Sequence, residues 1–272
     1  MPAAYAHYRF GRDLLAHLPR EKQDLIQDHR TLYDLGLQGP DLLFYCHPLR
    51  NDPLNGQGAR IHAAPAERFF RPAAELLESS GEKEGLTAYL WGFLCHFALD
   101  WHCHAYIESA VQPGGPGHLA METDFDRALL AEEGLPITAK YAGSQVRPSR
   151  QDAGLICGLF PGMSAGQLCR AMTAMRINQW FLNSQNPLIR GLVKLVLKLF
   201  GRYEKLGPML LHSRPDPLCQ ESTRQLMCCY TQAQDTALDL IRNFRPGLWE
   251  EQECENLYRY NFNAKKENAN ET

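Results

Sequence analysis

Residues 92–109, GFLCHFALDWHCHAYIES, set four groups that resist burial inside an otherwise apolar, helix-like stretch. His96, Asp100 and His104 are spaced four and four. At about 100° per residue they share one face and form a single polar stripe. His102 lies six residues from His96, about 240° round, and faces elsewhere. His96 and His104 are about 12 Å apart along the axis. One metal ion with bonds of about 2 Å cannot hold both histidines. Asp100, between them, has two oxygens and can serve more than one ion. The stripe implies at least two metal positions in a row if it binds metal. The plain alternative is a buried histidine pair with ordinary hydrogen-bond partners.

Helical periodicity dominates the rest of the chain. Residues 3–18 and 21–35 read as helices separated by Pro19. The Gly/Pro/Asn-rich stretch 36–58 reads as a long loop with one helical turn. Further helices are expected over 65–79, 82–110, 118–133, 149–160, 164–183, 187–206, 217–243 and 247–262. No alternating strand pattern is present. The expected fold class is all-α: a single multi-helix domain over 1–262 with long functional loops, then a polar, frayed tail over 263–272.

Composition excludes some function classes. The net charge of -3 gives no bulk attraction to nucleic acid, so no stable nucleic-acid partner is expected. Nine cysteines is an odd number, Cys228 and Cys229 are adjacent, and no CxxC spacing occurs. That pattern favours free thiols in a reducing compartment. The opening residues MPAAYAHYRFGRDLLAHLP have no basic start followed by an apolar core and cleavage site. No run of about 18 apolar residues exists. The expected location is cytoplasmic, with membrane association possible through residues 187–206.

A second pair follows the QPGGPG break. In GHLAMETDFDRALL, His118 and Glu122 are again four apart on one helix face. The intervening loop is short, so this helix is expected to double back and bring His104 to His118 and Glu122. Two imidazoles and a carboxylate suit a three-ligand zinc site with an open position. Upstream, Asp41 follows Gly-Pro and His62 follows GQGARI, both at loops or helix ends, and His7 sits on the first helix.

The ordered set His7, Asp41, His62, His96-x3-Asp100-x3-His104, His118-x3-Glu122 resembles the zinc-dependent phospholipase C family. In motif terms the resemblance covers roughly residues 5–125 and implies a helical fold continuing to about residue 260. It implies zinc, two to three ions. Asp41, His62, His96 and Asp100 would hold one. His104, His118 and Glu122 would hold a second. His7 and Asp100, with the amino-terminal residue, would hold a third. Five of the eight candidate ligands are imidazoles, which favours zinc over magnesium. The implied reaction is hydrolysis of a phospholipid or related lipid phosphodiester, with Asp41 a candidate to orient or deprotonate the water besides binding metal. Two features depart from the secreted members. They present a tryptophan amine after signal cleavage, whereas this chain begins Met-Pro. Their gap corresponding to Asp100–His104 is longer. The alternatives are a metal-binding module without efficient turnover and a nucleic-acid phosphodiesterase.

The remaining polar residues have plainer readings. His47 is a loop imidazole near the candidate site. His102 is structural, and Asp124 and Asp126 face solvent or make cap contacts. His17, His29 and His212 have no nameable partner. Cys95 and Cys103 sit off the stripe and read as core. In residues 187–206, Leu188, Leu192, Val196, Leu199 and Phe200 form an apolar face, while Arg190, Lys194, Lys198 and Arg202 recur every four residues on another. Such a helix either lays its apolar face on the core or lies on an anionic membrane surface. Core packing is the commoner arrangement, and it is the expectation here.

Overall fold

The structure, a computed structural model, describes residues 4–46, 49, 53–137, 144–245 and 256–266. Among these residues there are helices, turns and one isolated antiparallel bridge between Tyr260 and Lys266, with no strand. The helices are α1 Ala4–Leu14, α2 Arg20–Asp28, α3 Arg30–Gly36, α4 Pro53–Ala63, α5 Glu67–Ser79 and α6 Lys83–Ala110. They continue as α7 His118–Glu132, α8 Arg150–Ile156, α9 Ala165–Asn183, α10 Pro187–Leu199, α11 Tyr203–Leu206 and α12 Gln220–Asn243. The all-α expectation holds.

The organising element is α6. Its middle, from Ala88 to Asp100, is buried on every side, so the helix runs through the core rather than along its surface. It packs chiefly against α3 and α12, with α1, α5 and α8 around it. The approach of α3 depends on two glycines. A Cβ on Gly36 would stand 2.0 Å from the Tyr89 carbonyl oxygen, and one on Gly92 would stand 2.3 Å from that of Tyr33. No side chain fits at either place, so the two backbones touch there. Phe70, Phe93, Phe97, Tyr258 and Phe262 interlock beside α6 and fill the adjoining core.

Several boundaries differ from expectation. The stretch 36–58 is not one loop: a 3-10 turn covers Gly39–Tyr45, and α4 begins at Pro53, a residue suited to a first helical turn. The expected helix 187–206 stops at Leu199. Gly201, at φ +63, turns the chain, with Arg202 N–H on the Leu197 carbonyl and Gly201 N–H on that of Lys198. Of the expected helix 247–262, residues 246–255 lie outside those described, and Asn256–Arg259 is a 3-10 turn. Of the expected tail, Lys266 forms the bridge to Tyr260, and residues 267–272 lie outside those described.

The expectation for 187–206 is overturned on packing. The helix rests on the protein through Leu197, while Leu188, Leu192, Leu195 and Leu199 are exposed. Its apolar stripe faces outward, not to the core.

Candidate metal centre

Five segments deliver the eight residues. His7 comes from α1, Asp41 from the 3-10 turn Gly39–Tyr45, and His62 from the last turn of α4. His96, Asp100 and His104 descend one face of α6, and His118 and Glu122 open α7. All are buried except His118, which is partly exposed.

Asp100 occupies the middle. Its Oδ2 lies 3.1 Å from His96 Nε2 and 3.4 Å from His62 Nε2. Its Oδ1 lies 3.3 Å from His7 Nε2 and 3.7 Å from His104 Nε2. His62 Nε2 is also 3.0 Å from Asp41 Oδ1. Glu122 Oε1 takes His104 Nε2 at 3.2 Å and His118 Nε2 at 3.1 Å. The side chains resolve into three groups whose ligand atoms lie within 4.8 Å of one another: Asp41, His62 and His96; His7, His96 and Asp100; His104, His118 and Glu122. The first two groups share His96, and its ring stacks on His7 at 4.0 Å. Residues 1–3, where an amino-terminal ligand would sit, lie outside the described residues.

Backbone carbonyls aim the imidazoles. His62 Nδ1–H donates to Gly58, His96 Nδ1–H to Leu37 and His104 Nδ1–H to Phe262, at 2.9, 3.2 and 3.1 Å. A proton held on Nδ1 leaves Nε2 as the atom that faces the carboxylates, which is how protein metal sites fix a histidine tautomer. Gly39 makes room. It takes φ +49, and a Cβ there would stand 2.4 Å from His96 Cδ2.

This donor set fits zinc. Tetrahedral ligands at about 2.0–2.1 Å from an ion stand about 3.3 Å from each other. The carboxylate–imidazole separations here cluster around that value. Asp100 Oδ2 is buried at ion-pair distance from both His62 Nε2 and His96 Nε2, yet none of the three atoms has an aligned hydrogen bond. Burying such atoms without partners is costly, and a shared cation removes the cost.

The electrostatics of the metal-free cluster follow from crowding. Burial and the neighbouring His96 lower His7 to about 4. Burial works against protonating His62, but Asp100 and Asp41 beside it raise it to about 10. Burial would also raise the carboxylates, yet His104 and His96 hold Asp100 well below its usual range. His118 and His104 do the same for Glu122, and His62 for Asp41. The carboxylates are therefore ionised at neutral pH.

Other residues fall as their surroundings dictate. His102 Nε2 meets Thr236 Oγ1 at 2.9 Å, away from the stripe. Cys95 and Cys103 are buried core thiols, and none of the described cysteines is in a disulfide. Asp124 and Asp126 do not face solvent. Asp124 grips Arg127 and accepts from Asp216 N–H and Thr223 Oγ1, tying α7 to α12. Asp126 accepts the Ala6 and Tyr5 N–H groups at 2.8 and 3.3 Å, fixing the start of α1 and with it His7. His29 lies 3.6 Å from Glu84, and His212 lies 3.5 Å from Arg190. His47 lies outside the described residues.

Sequence reasoning misses the residues 256–266. Phe262 supplies the carbonyl under His104, and its ring packs on His62 and His96. Its own N–H donates to the His62 carbonyl at 3.2 Å. Nothing in its residue type marks this, because every residue carries a carbonyl. Two cavities of about 290 and 330 Å³ lie off the cluster, and none of the eight residues lines either. Among the eight residues, His118 is the one whose imidazole reaches solvent.

No curated protein and no solved structure matches this chain at a significant level. The profile of the family described as zinc dependent phospholipase C does match, over residues 6–155. That span is more than half of the chain and contains all eight residues of the cluster, and this protein belongs to the zinc-dependent phospholipase C family.

Proposed function

We propose that this protein hydrolyses a phosphodiester bond, in a phospholipid or a related lipid, at a centre of two to three zinc ions. One observation carries the reading. His104, His118 and Glu122 converge at ligand spacing, and among the described residues of the cluster His118 is the one that reaches solvent. Three protein ligands with an open approach are the arrangement of hydrolytic rather than structural zinc. Asp41, His62, His96 and Asp100 would hold a second ion, and His7 with Asp100 a third. Zinc so held lowers the pKa of bound water and draws charge from phosphoryl oxygens.

The chain's own residues do the rest. Asp100 shares its two oxygens between groups and keeps their spacing fixed. The Leu37, Gly58 and Phe262 carbonyls hold three imidazoles in orientation, so little reorganisation remains during turnover. Asp41 is held well below the ordinary carboxylate range beside His62. Ionised there, Asp41 can accept a hydrogen bond from a water and orient it besides holding the ion. The free thiols suit work in a reducing, cytoplasmic compartment.

The test is turnover by metal-analysed protein of phospholipid micelles, a small chromogenic diester and single-stranded nucleic acid. Hydrolysis of the lipid is expected. Chelation and His118→Ala should abolish it, and zinc should restore the chelated wild type. If zinc-replete protein turns over none of the three substrates, the reading gives way to a metal-binding module. Turnover of nucleic acid alone would reassign the substrate.

A further inference from the structure

The outward stripe of α10 has no function in the metal centre. Leu188, Leu192, Leu195 and Leu199 are 82%, 54%, 54% and 75% exposed. Spaced four, three and four, they fall within about 60° of one another on the helix. The helix is firmly built despite its exposure. The Asn186 side chain accepts from Leu188 N–H at 2.9 Å, Pro187 occupies the first turn, and the Gly201 turn closes the other end. An exposed leucine stripe held rigid is a binding face rather than a frayed edge.

Charge says what it binds. From Pro187 to Arg202 the chain carries four basic residues and no acidic one. Arg190 is committed inward, to the Leu211 and Ser184 carbonyls. Lys194 and Lys198 border the leucines on one side, with stems long enough to reach past them. Leucines at this spacing could also form the seam of a helix pair. A second copy of α10 offers no carboxylate to those lysines, so self-pairing sets like charges together. An anionic lipid surface satisfies both the leucines and the lysines. With 13 residues, α10 is too short to span a bilayer and would lie in its plane. Ile177, Trp180 and Phe181 are exposed on α9, the preceding helix, and side chains of this kind favour the membrane interface.

We propose that α10 docks this protein on anionic membranes, with its four leucines entering the acyl boundary and Lys194 and Lys198 meeting headgroup phosphates. The placement also suits a lipid hydrolase. α9 joins α10 to the turn that carries Asp41, through Gln179 on the Tyr45 hydroxyl and Asn178 on the Tyr45 carbonyl. The proposal draws its purpose from the lipid reading of the substrate, but its test does not depend on turnover.

The experiment is co-sedimentation of zinc-loaded protein with vesicles of phosphatidylcholine alone or of equal parts phosphatidylcholine and phosphatidylserine. Wild type should bind the anionic vesicles and bind the neutral ones weakly. Leu188→Gln, Leu192→Gln and Leu195→Gln combined should lower partitioning about a hundredfold. Lys194→Gln with Lys198→Gln should lower it about tenfold on anionic vesicles only. All these positions lie on the surface, so circular dichroism, zinc content and turnover of a soluble diester should stay at wild-type values. Wild type that stays unbound, or a triple variant that binds as wild type does, overturns the proposal. A wild-type dimer that the triple variant converts to monomers also overturns it, because a second copy then covers the stripe. Leucine-dependent vesicle binding by a protein that hydrolyses no lipid supports docking and sinks only the lipid reading of the substrate.

Discussion

Asp100 lies one helical turn from His96, and its Oδ2 stands 3.1 Å from that ring's Nε2. The other oxygen faces His7 and His104, so a single carboxylate links every group of the cluster. Asp100→Asn should lose about one zinc equivalent or more and over about a hundredfold of turnover. His102→Ala removes the bond to Thr236 and the edge contact with Trp101, and should cost about 1 kcal/mol with full zinc content. Elemental analysis and thermal melts of both variants decide this. Equal losses would show that position on the helix face is not what matters.

Gly39 is the glycine pressed directly against the His96 ring. Its backbone is left-handed, and any Cβ would press on the His96 ring. Gly39→Ala should destabilise the zinc-loaded protein by about 1–3 kcal/mol and weaken zinc binding at His96. Urea denaturation and competition with a chromogenic chelator measure the two effects. A variant with wild-type zinc affinity would mean that the turn relaxes away from His96.

His62 gives the cluster a pH signature. Metal-free, its pKa of about 10 lies above the unfolded value near 6.5. A raised pKa of this kind contributes stability that is complete below about pH 6.5 and is lost as pH rises through about 10. Zinc must displace that proton, so uptake at pH 8 should release about one proton more in wild type than in His62→Ala. Calorimetry in buffers of different ionisation enthalpy reads the difference directly. Identical proton release would refute a protonated His62.

Phe262 should matter more than its distance in sequence suggests. Its ring is fully buried against His62, His96 and Phe97. Phe262→Ala should cost about 3–5 kcal/mol and loosen the carbonyl under His104, lowering zinc affinity about tenfold. Equilibrium unfolding and chelator competition are again sufficient. Wild-type zinc affinity in the variant would show that residues 256–266 pack beside the centre without supporting it.

The candidate cluster was legible because its chemistry resides in side chains at helical spacing. His96-x3-Asp100-x3-His104 and His118-x3-Glu122 define faces, and the helix geometry does the rest. The supporting atoms were not legible, because the Leu37, Gly58 and Phe262 partners act through backbone carbonyls that any residue type presents. Gly39 was visible as a turn residue, but its contact with His96 depends on tertiary packing. The α10 stripe shows the opposite limit. Periodicity reveals that an apolar face exists, and only the packing of Leu197 decides which way that face points.

The candidate metal centre draws on both His7 and the carbonyl of Phe262, 255 positions apart along one chain. Protein synthesis runs from the first toward the second. While a nascent chain still lacks residue 262, α6 can present its stripe, but His104 has no carbonyl to fix its tautomer. A half-made chain thus exposes histidines and carboxylates before their final geometry exists. The geometry of the cluster is accordingly complete only once residue 262 has been added and packed.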